Sequence, residues 1–311
     1  TAMPIAASPT PLQPRRRRAL GWAAVSLGLL PTLGVRAAPA TPATGPAPAP
    51  AASPPVPGPL VRMPDGRLLA PDVAALVMRG ELRVAMLAVD TPPFFHLSQH
   101  ELVGLEVDMA KDLARELKVP VRFVREARNF NGVVDLVARG EADVGISKLS
   151  RTLARAQVIR FSAPYLRLNH ALVLNRLAFA RLARDKAVGE VVRQFNGTIG
   201  VIANSSFADY AKRHFPQAQL RPYPGWEQVV AAVRSGEVVG AYRDEFEVKR
   251  LLRSDPTASL TLRTITLKDL EDTLGIAVGA DAPLLHQFVD LFLAQRNDKL
   301  DVDKVLRAVG V

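Results

Sequence analysis

Several residues stand where their chemistry could hold a charged solute. In Ile202-Ala203-Asn204-Ser205-Ser206 a strand-like run gives way to a helix. Hydroxyls and free backbone N–H groups gather at such a junction, and the helix dipole there favours negative charge. Plain N-capping by Ser205 or Ser206 produces the same pattern, and both readings stay open. Asp244, in Ala241-Tyr242-Arg243-Asp244-Glu245, is either an acid for a cationic group or the cap of a helix expected over residues 245–252. Arg155, taken by itself, reads as an ordinary surface arginine on a short helix, although a guanidinium can give a carboxylate two parallel hydrogen bonds.

Catalytic machinery is sparse by comparison. His96, His100, His170, His214 and His286 are scattered, without metal-ligand spacing, and no G-x-S-x-G elbow occurs. The chain has no cysteine, which excludes disulfides, thiolate metal sites and a lipid-anchored cysteine. No cofactor is expected. Glu245 is left open as a carboxylate general acid.

The formal charge of +10 raises the question of a nucleic-acid partner. Arg15, Arg16, Arg17, Arg18 and Arg36 all fall in the first 37 positions, which hold no acid. The remaining excess is spread along helix faces, so no nucleic-acid partner is expected. The same arginines, an uncharged stretch from Ala19 to Val35 and Val35-Arg36-Ala37 predict an export signal over 1–37, cut after Ala37. An uncleaved anchor is the alternative, although Pro31 and three glycines interrupt a run at the short edge of a bilayer span. The mature form is then periplasmic, with no membrane span. Residues 38–70 read as a Pro/Ala-rich linker, with the globular part starting near Pro71.

Beyond the linker, strand and helix periodicities alternate. Leu82 to Leu87, Val121 to Val124 and Thr198 to Ile202 read as strands. Val107, Ala110, Leu113, Ala114 and Leu117 have the spacing of an amphipathic helix. Alternating elements argue for an α/β protein with mainly parallel sheets flanked by helices. Val133–Glu141 recurs as Val229–Glu237, each a helix closed by glycine and followed by a strand, which predicts two similarly built lobes with a cleft between them.

In this order and spacing, five segments resemble the family 3 periplasmic solute-binding proteins, the amino-acid receptors of ABC transporters. They are Pro92-Pro93-Phe94, Leu102–Asp108, Gly140-Glu141-Ala142-Asp143-Val144, Leu149–Ala156 and Phe161-Ser162-Ala163-Pro164-Tyr165. The resemblance runs from about Leu82 to the C-terminus. It implies a two-lobed periplasmic-binding-protein fold of type II, with lobe 1 at 78–172 plus 273–311 and lobe 2 at 173–272. Hinge strands are expected near 171–175 and 273–278. It further implies a monomer that closes on an amino-acid-like ligand and serves an ABC permease. Arg155 matches the carboxylate-clamping arginine, Ser150 its assisting hydroxyl, and Ser205 and Ser206 the opposing lobe's contribution. Asp244 matches the acid for the ligand ammonium, and Phe130 an apolar wall. Two departures obscure the ligand's side chain: Asp90-Thr91 precedes the proline pair, and Lys148 stands where a small residue is usual. Asp90 can attract a cationic ligand or pair with Lys148. An enzyme on the same scaffold, similar to cyclohexadienyl dehydratases or lytic transglycosylases, and a sensory input receptor are the alternatives.

Overall fold

The structure is a computed structural model that describes residues 59–308. The expected export signal and most of the expected linker lie outside these residues. The rest of that linker is folded. Val61–Arg62 (β1) and Leu68–Leu69 (β2) form a small antiparallel hairpin around Pro64-Asp65-Gly66, and Met63 is buried beneath it. Folded structure is therefore present before Pro71, because an Asp-Gly turn closes a hairpin there.

Helix α1 (Pro71–Arg79) leads into β3 (Leu82–Ala85), the hairpin β4 (His96–Ser98) and β5 (Glu101–Val103), α2 (Leu105–Glu116), β6 (Val121–Val124), α3 (Phe130–Ala138) and β7 (Val144–Gly145). A single 3-10 turn at Arg155–Gln157 precedes β8 (Ile159–Phe161) and the long β9 (Leu166–Asn175). Next come α4 (Arg176–Ala183), α5 (Val188–Arg193), β10 (Thr198–Ile202), α6 (Ser206–His214), β11 (Gln219–Tyr223), α7 (Trp226–Ser235) and β12 (Gly240–Asp244). Helices α8 (Glu245–Ser254) and α9 (Ala258–Thr261) precede β13 (Leu262–Leu274), β14 (Ala277–Gly279), α10 (Pro283–Gln295) and α11 (Val302–Ala308).

These elements build two five-stranded mixed sheets flanked by helices, ordered β6-β3-β7-β14-β8 and β11-β10-β12-β9-β13. In each, two neighbouring pairs are parallel and two antiparallel, so that one strand, β14 or β9, runs against the other four. The repeated segment occupies equivalent places. Both α3 and α7 are followed by a left-handed glycine, Gly140 at φ +70° and Gly236 at φ +79°, and each leads into the third strand of its sheet, β7 or β12.

Strands β9 and β13 connect the two halves. Residues 166–169 pair with 271–274, and 170–175 with 262–267, across a register shift. Leu166, Leu168 and Leu274 belong to the first lobe's core, whereas Leu172 and Leu174 belong to the second's. The crossing thus lies a few residues earlier in both strands than the expected 171–175 and 273–278. Core membership, which no local periodicity reports, places it there.

Candidate functional site

The lobe-1 side of the cleft is organised around Lys148, just after β7. Its backbone is left-handed, φ +48°, a conformation costing a non-glycine residue about 1–2 kcal/mol. What holds it is Glu106, on the first turn of α2, whose two carboxylate oxygens accept the Lys148 N–H at 2.8 and 3.0 Å. Tyr165 donates its hydroxyl to the same carboxylate. Burial pushes Glu106 up to about 7 against these donors. Gly104, at φ +132°, brings the start of α2 onto the proline loop, where Leu105 and Glu106 donate to the carbonyls of Pro93 and Phe94 at 3.0 and 2.9 Å.

The Lys148 ammonium crosses to the other lobe. Its Nζ lies 3.0 Å from Asp244 Oδ2 and 2.8 Å from Glu247 Oε1, with all three side chains no more than 3% exposed. The rings of Phe94 and Phe246 flank it at 5.1 and 5.0 Å. Burial alone would raise Glu247, but Lys148, Arg250 and Arg243 hold it well below the usual carboxylate range. Asp244 ends β12 and serves twice, since its Oδ1 also accepts the Glu247 N–H at 3.1 Å and caps α8. Lys148 does not pair with Asp90. The Asp90 carboxylate instead accepts from Arg125 at 2.7 Å and from the Leu97 N–H at 3.1 Å.

Arg155 is buried at the start of the 3-10 turn. Its Nη1 donates to the Ser150 carbonyl at 3.0 Å, while Nε and Nη2 donate to Asn131 Oδ1 at 3.2 and 3.0 Å. These acceptors are neutral, so the guanidinium charge has no hydrogen-bonded anion, and burial lowers its proton affinity. The Ser150 hydroxyl donates to Asp272 Oδ2 at 2.7 Å and meets the Ser206 hydroxyl of the other lobe at 2.7 Å. Asp272 also accepts from the Tyr210 hydroxyl at 3.3 Å, and burial pushes it up to about 6. Ser205 behaves as a cap: its hydroxyl donates to the Ile202 carbonyl at 2.7 Å and accepts from the Ala208 N–H at 3.3 Å. Asn204 before it is left-handed, φ +54°.

Six of the eight residues singled out from the sequence therefore line one gap: Phe130, Lys148, Ser150, Arg155, Ser206 and Asp244. In this closed arrangement the gap measures about 10 Å³, no more than a water molecule's room. Beyond Arg243 a larger chamber of about 390 Å³ opens between the lobes, walled by Pro92, Phe130 and Trp226 and edged by Asp90. Ser205 lines neither space. Glu106, Asn131, Arg243, Glu247 and Asp272 were not legible as site residues. Glu247, three residues after a capping aspartate, carried a local hint, whereas Asp272 is brought in only by β13. Among the described residues no cluster of three or more His, Asp or Glu could hold a metal ion.

Comparison with known proteins bears on the family and the fold. The family of bacterial extracellular solute-binding proteins, family 3, matches residues 82–299. ABC transporter arginine-binding protein 1 of Escherichia coli K12 is 23% identical over 205 residues, covering 65% of this chain and 80% of that protein. Membrane-bound lytic murein transglycosylase F of Idiomarina loihiensis is 26% identical over 230 residues, covering 71% of this chain and 48% of that protein. Among solved structures, the amino acid ABC transporter substrate-binding protein AbpA of Streptococcus pneumoniae, bound to L-arginine, superposes with a TM-score of 0.61 at 24% identity, covering 75% and 96% of the two chains. An ancestral amino acid-binding protein described as a precursor of cyclohexadienyl dehydratase gives 0.60 at 23% identity, covering 76% and 97%. At these identities the structural likeness establishes the fold.

Proposed function

Since this chain belongs to the family 3 bacterial extracellular solute-binding proteins, we propose that it is a periplasmic receptor that closes its two lobes on an amino-acid-like carboxylate solute and delivers it to an ABC permease. The carrying observation is the meeting of Lys148, Ser150 and Arg155 of one lobe with Ser206 and Asp244 of the other around a single gap beside a chamber. In this reading Arg155 turns from its neutral acceptors to the ligand carboxylate, with the hydroxyls of Ser150 and Ser206 beside it. Phe130 supplies a wall. Opening and closing use the β9–β13 crossing, and the ligand completes its contacts when the second lobe arrives. The receptor works as a monomer, exported by its N-terminal signal and cut after Ala37.

The enzyme reading gains no support from Glu245. Its Oε1 accepts from both the backbone and the side-chain nitrogen of Asn169 at 2.8 Å, and Oε2 from Lys249 at 2.7 Å, so the carboxylate is committed to holding α8 against β9. No helix among the described residues is long and apolar enough to cross a membrane.

A thermal-shift screen against amino acids and related carboxylates tests the proposal. A solute at about 100 times its dissociation constant adds about 2.7 kcal/mol to stability. Stabilisation by at least one carboxylate is expected; none stabilising at about 1 mM would overturn the receptor reading.

A further inference from the structure

The cation seat of this cleft is filled by the protein itself. Asp244, Glu247, Phe94 and Phe246 form a cage of two carboxylates and two rings around one ammonium, and that ammonium is Lys148 Nζ. At this cage a solute ammonium would have to evict Lys148, leaving a buried unpaired charge, or crowd a second cation onto the same two anions.

The opposite need stands beside it. Arg243 has a side chain 7% exposed, and its guanidinium makes no hydrogen bond among the described residues. It is held between the rings of Phe130 and Phe207 at 5.7 and 5.5 Å, with Asp244 Oδ2 at 3.6 Å from its Nε. It lines both the narrow gap and the 390 Å³ chamber, so the residue borders the space a solute would enter. Of the three acids that line that chamber, Asp90 is engaged by Arg125 and Glu247 by Lys148 and Arg250, while the exposed Glu227 makes no ion pair among the described residues. At Arg243 the unmet demand is thus for oxygen acceptors, and Asp272, the other buried acid of the gap, already accepts from the hydroxyls of Ser150 and Tyr210.

We propose, building on the receptor reading above, that the cleft selects an organic acid that brings no ammonium group, with Lys148 permanently occupying the ammonium's place and Arg243 taking a second oxygen acceptor of the solute. A 2-oxo acid is the simplest such solute.

Calorimetric titration of the full chain with matched pairs tests this: L-glutamate against 2-oxoglutarate, L-phenylalanine against phenylpyruvate, and L-leucine against 4-methyl-2-oxopentanoate. In at least one pair the 2-oxo acid should bind at least about tenfold more tightly, a difference of about 1.4 kcal/mol. Arg243→Gln should weaken that acid at least about tenfold, and Lys148→Met should shift the pair's ratio toward the amino acid by about tenfold or more. Should Lys148→Met fail to fold, the wild-type ratio and Arg243→Gln decide. An amino acid binding as tightly as its 2-oxo partner, and lost in Arg155→Ala, would overturn this proposal and leave the receptor reading standing. A ratio unchanged in folded Lys148→Met, or an acid indifferent to Arg243→Gln, overturns it as well. No member of any pair binding at about 1 mM would overturn both.

Discussion

The carboxylate of Glu106 accepts the backbone N–H of Lys148 through both oxygens, at 2.8 and 3.0 Å. The two residues are far apart in sequence, yet this contact sets the left-handed turn from which the Lys148 side chain reaches the other lobe. A helix terminus in lobe 1 thereby aims the one ammonium that lines the gap among the described residues.

Glu106 should leave a mark on the pH dependence of stability. Its native value of about 7 lies above the ordinary carboxylate value of 4.5, so the native state binds more protons between those limits. Its contribution is present below about pH 4.5 and is lost as pH rises through 7. Glu106→Gln removes the titration. The stability of wild type relative to this variant should therefore fall between pH 5 and pH 8, by up to about 3 kcal/mol. Urea unfolding of both proteins across that range checks it, and parallel profiles would contradict the assignment.

Two glycines with positive φ should respond very differently to alanine. At Gly104 a Cβ would lie 2.4 Å from the Phe94 carbonyl oxygen and 2.6 Å from that of Pro93, whereas at Gly140 nothing lies within 4 Å. Gly140→Ala should cost about 1–2 kcal/mol, the strain of a left-handed alanine. Gly104→Ala should cost at least about 3 kcal/mol, since backbone must move as well. Equal costs in denaturant titrations would show that the proline loop is not tightly docked.

Asp244→Asn separates the aspartate's two roles. An asparagine oxygen still caps α8, but Lys148 keeps only Glu247 as an anion. A loss of about 1–3 kcal/mol is expected, the worth of a hydrogen bond between charged groups. The loss should largely vanish in a Lys148→Met background, as a double-mutant cycle would reveal. Additive losses would mean that the two side chains do not act together.

Arg155 should govern affinity for the tightest carboxylate found in the screen. Arg155→Ala should weaken it by about 2–5 kcal/mol, roughly 30-fold or more, because the carboxylate then lies partly unpaired in a dry cleft. Arg155→Lys keeps the charge without the planar fork and should recover only part of that loss. Titration calorimetry gives both values; binding by the alanine variant within twofold of wild type would remove Arg155 from the site.

The sequence by itself determined the elements and the architecture. The apolar stripe from Val107 to Leu117 became the buried face of α2, and the repeated helix–glycine segment took equivalent places beside the two sheets. Short-range patterns suffice for these, because periodicity and glycine torsions act within one element. The tertiary structure alone decided what each polar residue meets. Ser205 turned inward as a cap while its neighbour Ser206 reached the other lobe, and Lys148 passed over Asp90 for Asp244 and Glu247. Asp272 entered the site from β13, and Arg243 stayed between two rings without a hydrogen-bond partner among the described residues. Charge pairing is a contest among all groups within a few ångströms, and which groups come that close is fixed by how the two lobes meet across the crossing strands.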